Sequence, residues 1–315
     1  MTALIIGIPR ALLYHRYGIL WTTFFENLGF EVLISPETTF DLMSDGLSKS
    51  VDECCLPLKL YLGHIQFLQD KCDYIFVPRN ERLSANEEFC PRFWGLPDIV
   101  RSTFPDVQLL SCDYNGQRRN NHACLLQLGR SLSRNLMQTM HALRKAQTVY
   151  AKSESYRIQS QNQLLQQDGI KVLLAGQPYI LRDAYMSGPL LRLIQEQDAL
   201  PVFPDSCSPA ECIKHSHELS RDLYWVLNRE VIGSIPLLKD TVDGVILLTA
   251  FPCGTDSLVN ELILRKNLGI PVTHIVLDEQ QGEAGLQTRI ECFIDILKEN
   301  QAKNRRKKLC LVTLS

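Results

Sequence analysis

Apolar runs of strand length alternate with amphipathic stretches of helix length along most of the chain. This is the pattern of a mostly parallel sheet covered by helices. In the first half ALIIGI (3–8), EVLIS (31–35), YIFVP (74–78) and VQLLS (107–111) read as buried strands. Tyr17, Leu20, Trp21, Phe24, Phe25 and Leu28 share one helical face, and Gly29 stands where a helix end favours a left-handed residue. Further helices are predicted over about 57–70 and 92–103. In the second half KVLLAG (171–176), PVFP (201–204), GVILLTAF (244–251) and VTHIVLD (272–278) read as strands. Leu286, Ile290, Phe293, Ile294 and Leu297 mark a closing helix. Between the halves the chain is rich in Gln, Asn, Arg and Ser, with leucines at helical spacing. The predicted fold is α/β: an N-terminal α/β domain (1–114), a helical connecting segment (115–168), a C-terminal α/β domain (169–300) and a basic tail (301–315).

Composition narrows the class. With 315 residues, 45% hydrophobic and 22% charged, the chain has material for two ordinary cores. A formal net charge of −2 announces no nucleic-acid partner. The N-terminal apolar run lacks a basic lead and a small-residue cleavage site, and no run reaches membrane-spanning length, so a cytoplasmic protein is expected. The basic cluster in KNRRKKLCLVTLS reads as a solvated end. Eleven cysteines is an odd number in a chain too large to need staples, so metal or redox use is the question to test rather than a disulfide framework.

Three of these cysteines share a local address. Cys253 follows the run 244–251 and precedes GTDSLVNELILRK, with Thr255 or Asp256 as the expected N-cap and Glu261 further along. Cys90 is followed by Pro91, which a first helical turn tolerates, and Cys55 by Leu56 and Pro57, the same arrangement one residue looser. A helix N-terminus lowers a nearby thiol's pKa, so each address favours a thiolate, the donor that iron–sulfur clusters require. The competing reading is three small buried residues or isolated reactive thiols. There is no C-x-x-C pair, so a structural zinc site lacks its spacing. Cys207 and Cys212, with His215 and His217 beyond, are the nearest thing to a metal pair, and Cys112 is a reserve candidate at a strand end. Cys54 competes with Cys55 for one role. Cys72, Cys124, Cys292 and Cys310 read as packing or surface residues, and His64, Tyr179 and Glu283 are candidates for proton transfer. Neither G-x-x-x-x-G-K-[ST], G-x-G-x-x-G after a strand, nor G-x-S-x-G is present, so ATP would be handled by a partner.

The stretches IGIPRALLYHRYGILWTTFFENLGFEVLISP, VDECCLPLKLYLGH, DYIFVPR, FCPRFWGLPD, DGVILLTAFPCGTDSLVNELI and LDEQQGEAGLQTRIECFIDIL together resemble the acyl-CoA dehydratase activase-related proteins. These form a branch of the 2-hydroxyacyl-CoA dehydratase superfamily, which includes the double-cubane cluster proteins. The resemblance implies Rossmann-like or flavodoxin-like domains clasping an iron–sulfur cluster, [4Fe-4S] or a larger double cubane, with Cys55, Cys90 and Cys253 on the family's cysteine motifs. It implies a redox component that takes low-potential electrons from a separate ATP-dependent activator and passes them to a small substrate such as a CoA ester. A homodimer or a second cluster-bearing subunit is implied as partner. Three cysteines on a cubane leave one iron open to substrate, water or sulfide, or to closure by a partner subunit. Gln177 and Gln280 stand where the family's pattern leads one to expect titratable groups. A non-catalytic cluster carrier or sensor, and a cluster-free protein binding a CoA ester or small anion, are the alternatives.

Overall fold

The computed structural model describes residues 4–84, 87–115, 123–133, 135–280 and 282–312. In the first half the elements run β1 (Ile5–Ile8), α1 (Tyr14–Asn27), β2 (Glu31–Ile34), α2 (Phe40–Ser48), α3 (Leu56–Leu68), β3 (Tyr74–Phe76), β4 (Arg79–Ser84), β5 (Glu87–Glu88), α4 (Pro91–Trp94), α5 (Leu96–Thr103), β6 (Leu109–Leu110) and β7 (Asp113–Asn115). Two helices follow, α6 (Ala123–Ser133) and α7 (Leu136–Leu165). The second half runs β8 (Ile170–Ala175), α8 (Pro178–Leu181), α9 (Ala184–Glu196), β9 (Ala199–Val202), α10 (Pro209–Ser216), α11 (Val226–Leu238), β10 (Gly244–Ala250), α12 (Gly254–Leu264), β11 (Val272–Leu277) and α13 (Glu283–Val312).

Two four-stranded parallel sheets carry the fold, in the orders β2-β1-β3-β6 and β11-β10-β8-β9. Strands buried on both faces explain why the sequence shows continuous apolar runs rather than alternation. In the second sheet Val172, Leu174, Ile246 and Leu248 face a core that is continuous with Ile6, Phe24, Phe25, Leu60 and Phe76 of the first half. Leu173, Val245 and Leu247, offset by one residue, face a second core with Val202, Ile232 and Val259. A small third sheet, β5-β4-β7, sits beside the first and is joined to the second half where Glu88 N–H donates to Tyr224 C=O at 2.8 Å.

The eight expected strand regions all carry strands, six of them trimmed by one to three residues, while β8 begins one residue and β9 two residues earlier than expected. α1 stops just before Gly29, which takes φ +92°. The helix expected over 92–103 is two, α4 and α5, broken at Gly95 with Pro97 opening the second. The connecting segment contains α6 and α7, with 116–122 and 134 outside the described residues. α7 packs Ala142, Leu143 and Ala146 inward near α1, and farther along its buried Gln161 exchanges two hydrogen bonds with the Phe203 backbone, at 2.9 and 2.7 Å. The stretch read as a tail continues α13 to Val312. Among the described residues no helix is long and apolar enough to cross a membrane.

Candidate functional site

In each parallel sheet the order reverses at one point, between β1 and β3 in the first and between β8 and β10 in the second. Ligand sites in open α/β sheets form at the carboxyl ends of strands around such a reversal. The second sheet places Gln177 after β8 and Cys253 after β10, on either side of it. The turn that delivers Cys253 contains a cis Phe251–Pro252 peptide, and Phe251 C=O accepts the Leu56 N–H at 2.9 Å. That bond ties the start of α3, and so Cys55, to the strand end that carries Cys253. Cys90 arrives from the third sheet.

All three cysteines are helix N-caps: Cys55 of α3, Cys90 of α4 and Cys253 of α12. The Cys55 C=O accepts from Lys59 N–H at 3.1 Å and the Cys253 C=O from Ser257 N–H at 3.1 Å, the first bonds of their helices. This corrects the expected cap at Thr255 or Asp256. Proline does not open α12, and Cys253 itself is the half-in residue, so those two fall inside the first turn. The expected thiolate character is also corrected. Burial pushes the Cys55 thiol up to about 11, against the opposing pull of the Leu58 N–H. Burial likewise raises Cys90, against the Arg92 N–H, and Cys253, where the nearby Asp256 carboxylate adds to it. The local helix end does favour the anion, but the desolvation of a buried sulfur outweighs it.

The groups act on one another. Cys90 raises Cys55, Cys55 raises Cys253, and Tyr179 is raised by burial and then by Asp256, Cys253, Cys55 and Cys90. Tyr179, a proton-transfer candidate in the sequence, is thus within electrostatic reach of the three thiols, with its ring 5.7 Å from that of Phe93. Asp256 is 4% exposed, and its Oδ1 accepts from Gln177 Nε2 at 2.9 Å and from Asn228 Nδ2 at 2.8 Å. Its Oδ2 and the Gln177 Oε1 are buried and receive no donor. Three thiols and a carboxyl are a donor set of the kind that holds a positively charged metal centre, with the Arg92 guanidinium within electrostatic reach of Cys55 and Cys90. Among the described residues no three His, Cys, Asp or Glu side chains gather closely enough to hold one metal ion. A cubane spreads its irons over the corners of a cube, so its ligands stand farther apart than those of a single ion.

Beside Cys55 opens a cleft of about 680 Å³ lined by Thr38, Leu56, Tyr185, Arg192, Glu279 and Glu283. Lys59 pairs with Glu279 at 3.0 Å near its rim. Glu283, the third proton-transfer candidate, is exposed and paired with Arg192. His64 is fully buried away from the thiols, with Nδ1 2.8 Å from Ser35 Oγ and Nε2 3.0 Å from Thr38 Oγ1, and Thr38 in turn donates to Asp183. Burial, with His15 and Arg10 adding to it, drops His64 to about 3, while burial with Arg10 and Arg182 drops His15 to about 4. Unfolded histidine titrates near 6.5. Between that value and the folded ones the unfolded chain binds more protons, so stability is full above about pH 6.5 and falls as the pH falls. Asp183, raised by burial, works in the opposite sense. Urea unfolding at pH 7, 6 and 5 is expected to show a declining midpoint, with a flatter decline in His64→Asn. An equal decline in the variant removes His64 from the account.

The other candidates are not brought to the thiol site. Cys54 is buried in the core, Cys72 donates to Leu68 C=O under Gly7, and Cys292 is exposed. Cys112 lies 3.1 Å from Cys124, sulfur to sulfur. Cys207 and Cys212 interact with each other, but His215 turns to Glu218 at 2.6 Å and His217 to Arg229 at 3.3 Å, so the pair gains no further ligand. The Gln280 backbone N–H is held by Asp278, and the side chain of Cys310 lies outside the described residues. The sequence offered no signal for Asn228, one of four polar residues that α11 buries together with Arg229, Glu230 and Ser234. Asp256 had a signal, its place three residues after a capping position, but it was read as a cap.

A family model described as the CoA enzyme activase uncharacterised domain (DUF2229) matches residues 5–207. The match spans well over half of the chain, and the chain belongs to this family. Cys55 and Cys90 fall within the matched segment and Cys253 beyond it. No curated protein matches the chain. Among solved structures it is similar to FpvC, an SBP from Pseudomonas aeruginosa in complex with Mn2+, at 12% identity and a TM-score of 0.29, over 95% of this chain and 100% of that one. It is also similar to ZnuA, at 10% identity and a TM-score of 0.30, over 93% and 99% of the two chains.

Proposed function

We propose that this chain is an iron–sulfur redox protein of the 2-hydroxyacyl-CoA dehydratase type, with a cluster held by Cys55, Cys90 and Cys253. The observation that carries this reading is that three half-buried N-cap cysteines, from three separate parts of the chain, lie within electrostatic reach of one another. The family description, naming a CoA enzyme activase, supports a role beside an enzyme that acts on CoA esters. The chain carries no phosphate-cradling glycine motif, which supports a separate ATP-dependent activator as the electron source. We take the protein to be cytoplasmic and to work as a homodimer or with a second cluster-bearing subunit.

When bound, a [4Fe-4S] or double-cubane centre supplies one-electron chemistry at low potential. The chain's own residues do the rest. The three sulfurs would hold the centre, Phe93 and Tyr179 would shield it, and at the adjoining cleft Arg192 and Lys59 are each paired with a glutamate that an anionic substrate would have to displace. The test is iron and acid-labile sulfide content of protein purified without oxygen, beside Cys55→Ala, Cys90→Ala and Cys253→Ala. About four irons with matching sulfide, or about twice that for a double cubane, are expected in the parent and are lost from each variant. An iron-free parent after anaerobic reconstitution, or variants that keep the metal, overturns the reading and turns attention to the cleft as a site for a cluster-free CoA-ester or anion binder.

A further inference from the structure

We propose that Cys112 and Cys124 form a redox-active dithiol that exchanges with small disulfides of the glutathione type, a chemistry separate from the cluster proposed above. Their sulfurs stand 3.1 Å apart although the residues are 12 positions apart in the chain. Cys112 lies in the short link between β6 and β7, where its carbonyl accepts the Arg79 N–H at 3.0 Å, and Cys124 is the second residue of α6. Bonded sulfurs stand about 2.05 Å apart, so closing the bond asks for a movement of roughly 1 Å.

A cavity of about 600 Å³ opens onto the pair, lined by both cysteines with Arg79, Arg101, Ser111 and Gln127. It is large enough for a small peptide disulfide. The lining does not suit a metal, because its one acid, Asp113, is paired with Arg79 at 3.4 Å and a second guanidinium stands nearby. Both arginines are also paired with Asp98, so access to sulfur rather than charge decides what reacts here. The other close cysteine pair lacks that access. Cys207 and Cys212 are 8% and 1% exposed, and the space beside them is about 10 Å³.

The two sulfurs have different roles. Cys112 is 6% exposed and Cys124 half-buried, so an incoming disulfide meets Cys124 first. Cys124 is also the more acidic: a hydrogen bond from Cys112 lowers it against burial, helped by Tyr114 and by the Leu125 N–H at the start of α6, whereas burial raises Cys112. The Cys124 thiolate attacks one sulfur of the disulfide, forming a mixed disulfide and releasing one thiolate, which takes up a proton. Cys112 then loses its proton and attacks the Cys124 sulfur, expelling the second half, which leaves as a thiol. The protein gives up two hydrogens in all, and one small disulfide becomes two thiols.

The experiment holds the full chain, purified without oxygen, in native buffer with oxidised glutathione in excess, then quenches with acid, alkylates and digests with trypsin. Cleavage at Arg118 and Arg119 separates the cysteines, so an oxidised pair is read as peptides 102–118 and 120–130 joined by a disulfide. That species is expected to dominate, while peptide 193–214, which carries Cys207 and Cys212, keeps both thiols. Cys112→Ser is expected to trap glutathione on Cys124, and Cys124→Ser to leave Cys112 slower to react by on the order of tenfold. The proposal is overturned if the parent, still folded by circular dichroism, keeps both thiols free, or if they join only after urea unfolding. It is overturned equally if either cysteine joins other cysteines as often as its neighbour, or if the two variants trap glutathione alike. The readout does not involve iron, so failure here leaves the cluster reading standing, and an iron-free protein leaves this proposal intact.

Discussion

Glu230→Ala lowers the unfolding free energy by about 3–5 kcal/mol, the usual cost of stranding one partner of a buried ion pair. Arg16 on α1 donates to Glu230 on α11 through Nη1 and Nη2, at 2.5 and 3.1 Å, and the two side chains are each 10% exposed. Arg16 remains charged under any ordinary condition, because Glu230 offsets the desolvation that would otherwise depress it. Removing the carboxylate leaves that charge largely buried and without its bidentate partner. The pair also bridges the first half of the chain to the second, and α11 carries Asn228 two residues away, one of the two amides that orient Asp256. If the proposed cluster is bound, loss of iron is expected together with loss of stability. The double variant Arg16→Met, Glu230→Leu removes both charges and is expected to recover most of the unfolding free energy. Urea denaturation of the three proteins checks this, and a single variant within about 1 kcal/mol of the parent shows that the pair is solvated and worth no more than a surface bridge.

The parts of the fold readable from sequence are those set by local physics. GVILLTAF is a continuous apolar run because β10 is buried on both faces, and α1 shows its Trp21–Phe24–Phe25 face because only that side meets the core. Proline one or two residues after cysteine suits a first helical turn, so Cys55 and Cys90 could be placed just ahead of helix starts from three or four letters. What stayed hidden depends on long-range packing. β4 reads RNERLS, with no apolar period, because it pairs in a small sheet at the flank. Nothing in the local text says that Phe251 will accept from Leu56, nearly 200 residues away, or that Thr38, His64 and Asp183 will share a hydrogen-bonded chain. The thiols show the same division in their energetics. The helix start, visible in sequence, favours the thiolate, and the burial that outweighs it belongs to the assembled molecule.

Gly63→Ala is expected to destabilise the protein by about 1–3 kcal/mol although the substitution is favourable for a helix in isolation. The gain in helix propensity is about 1 kcal/mol, and what opposes it is backbone rather than side chain. A Cβ on Gly63 would stand 1.9 Å from the Leu42 carbonyl oxygen, and one on Gly46 would stand 1.9 Å from that of Lys59. α2 and α3 therefore cross with their main chains in contact, and no rotamer change relieves the overlap. The helices must separate, and α3 carries Cys55 at its start, Lys59 against Glu279 one turn later and His64 next to the altered residue. A lower urea midpoint is the expected result, with a parallel fall in iron content where the proposed cluster is bound. Gly285→Ala is the matched control, since it lies in the first turn of α13 with nothing near its added carbon, and it is expected to be neutral or stabilising by up to about 1 kcal/mol. If both substitutions stabilise, the close crossing of α2 and α3 does not exist in solution. If Gly63→Ala alone destabilises but keeps its full iron, the position of Cys55 is set by the Leu56–Phe251 bond rather than by the helix crossing beneath it.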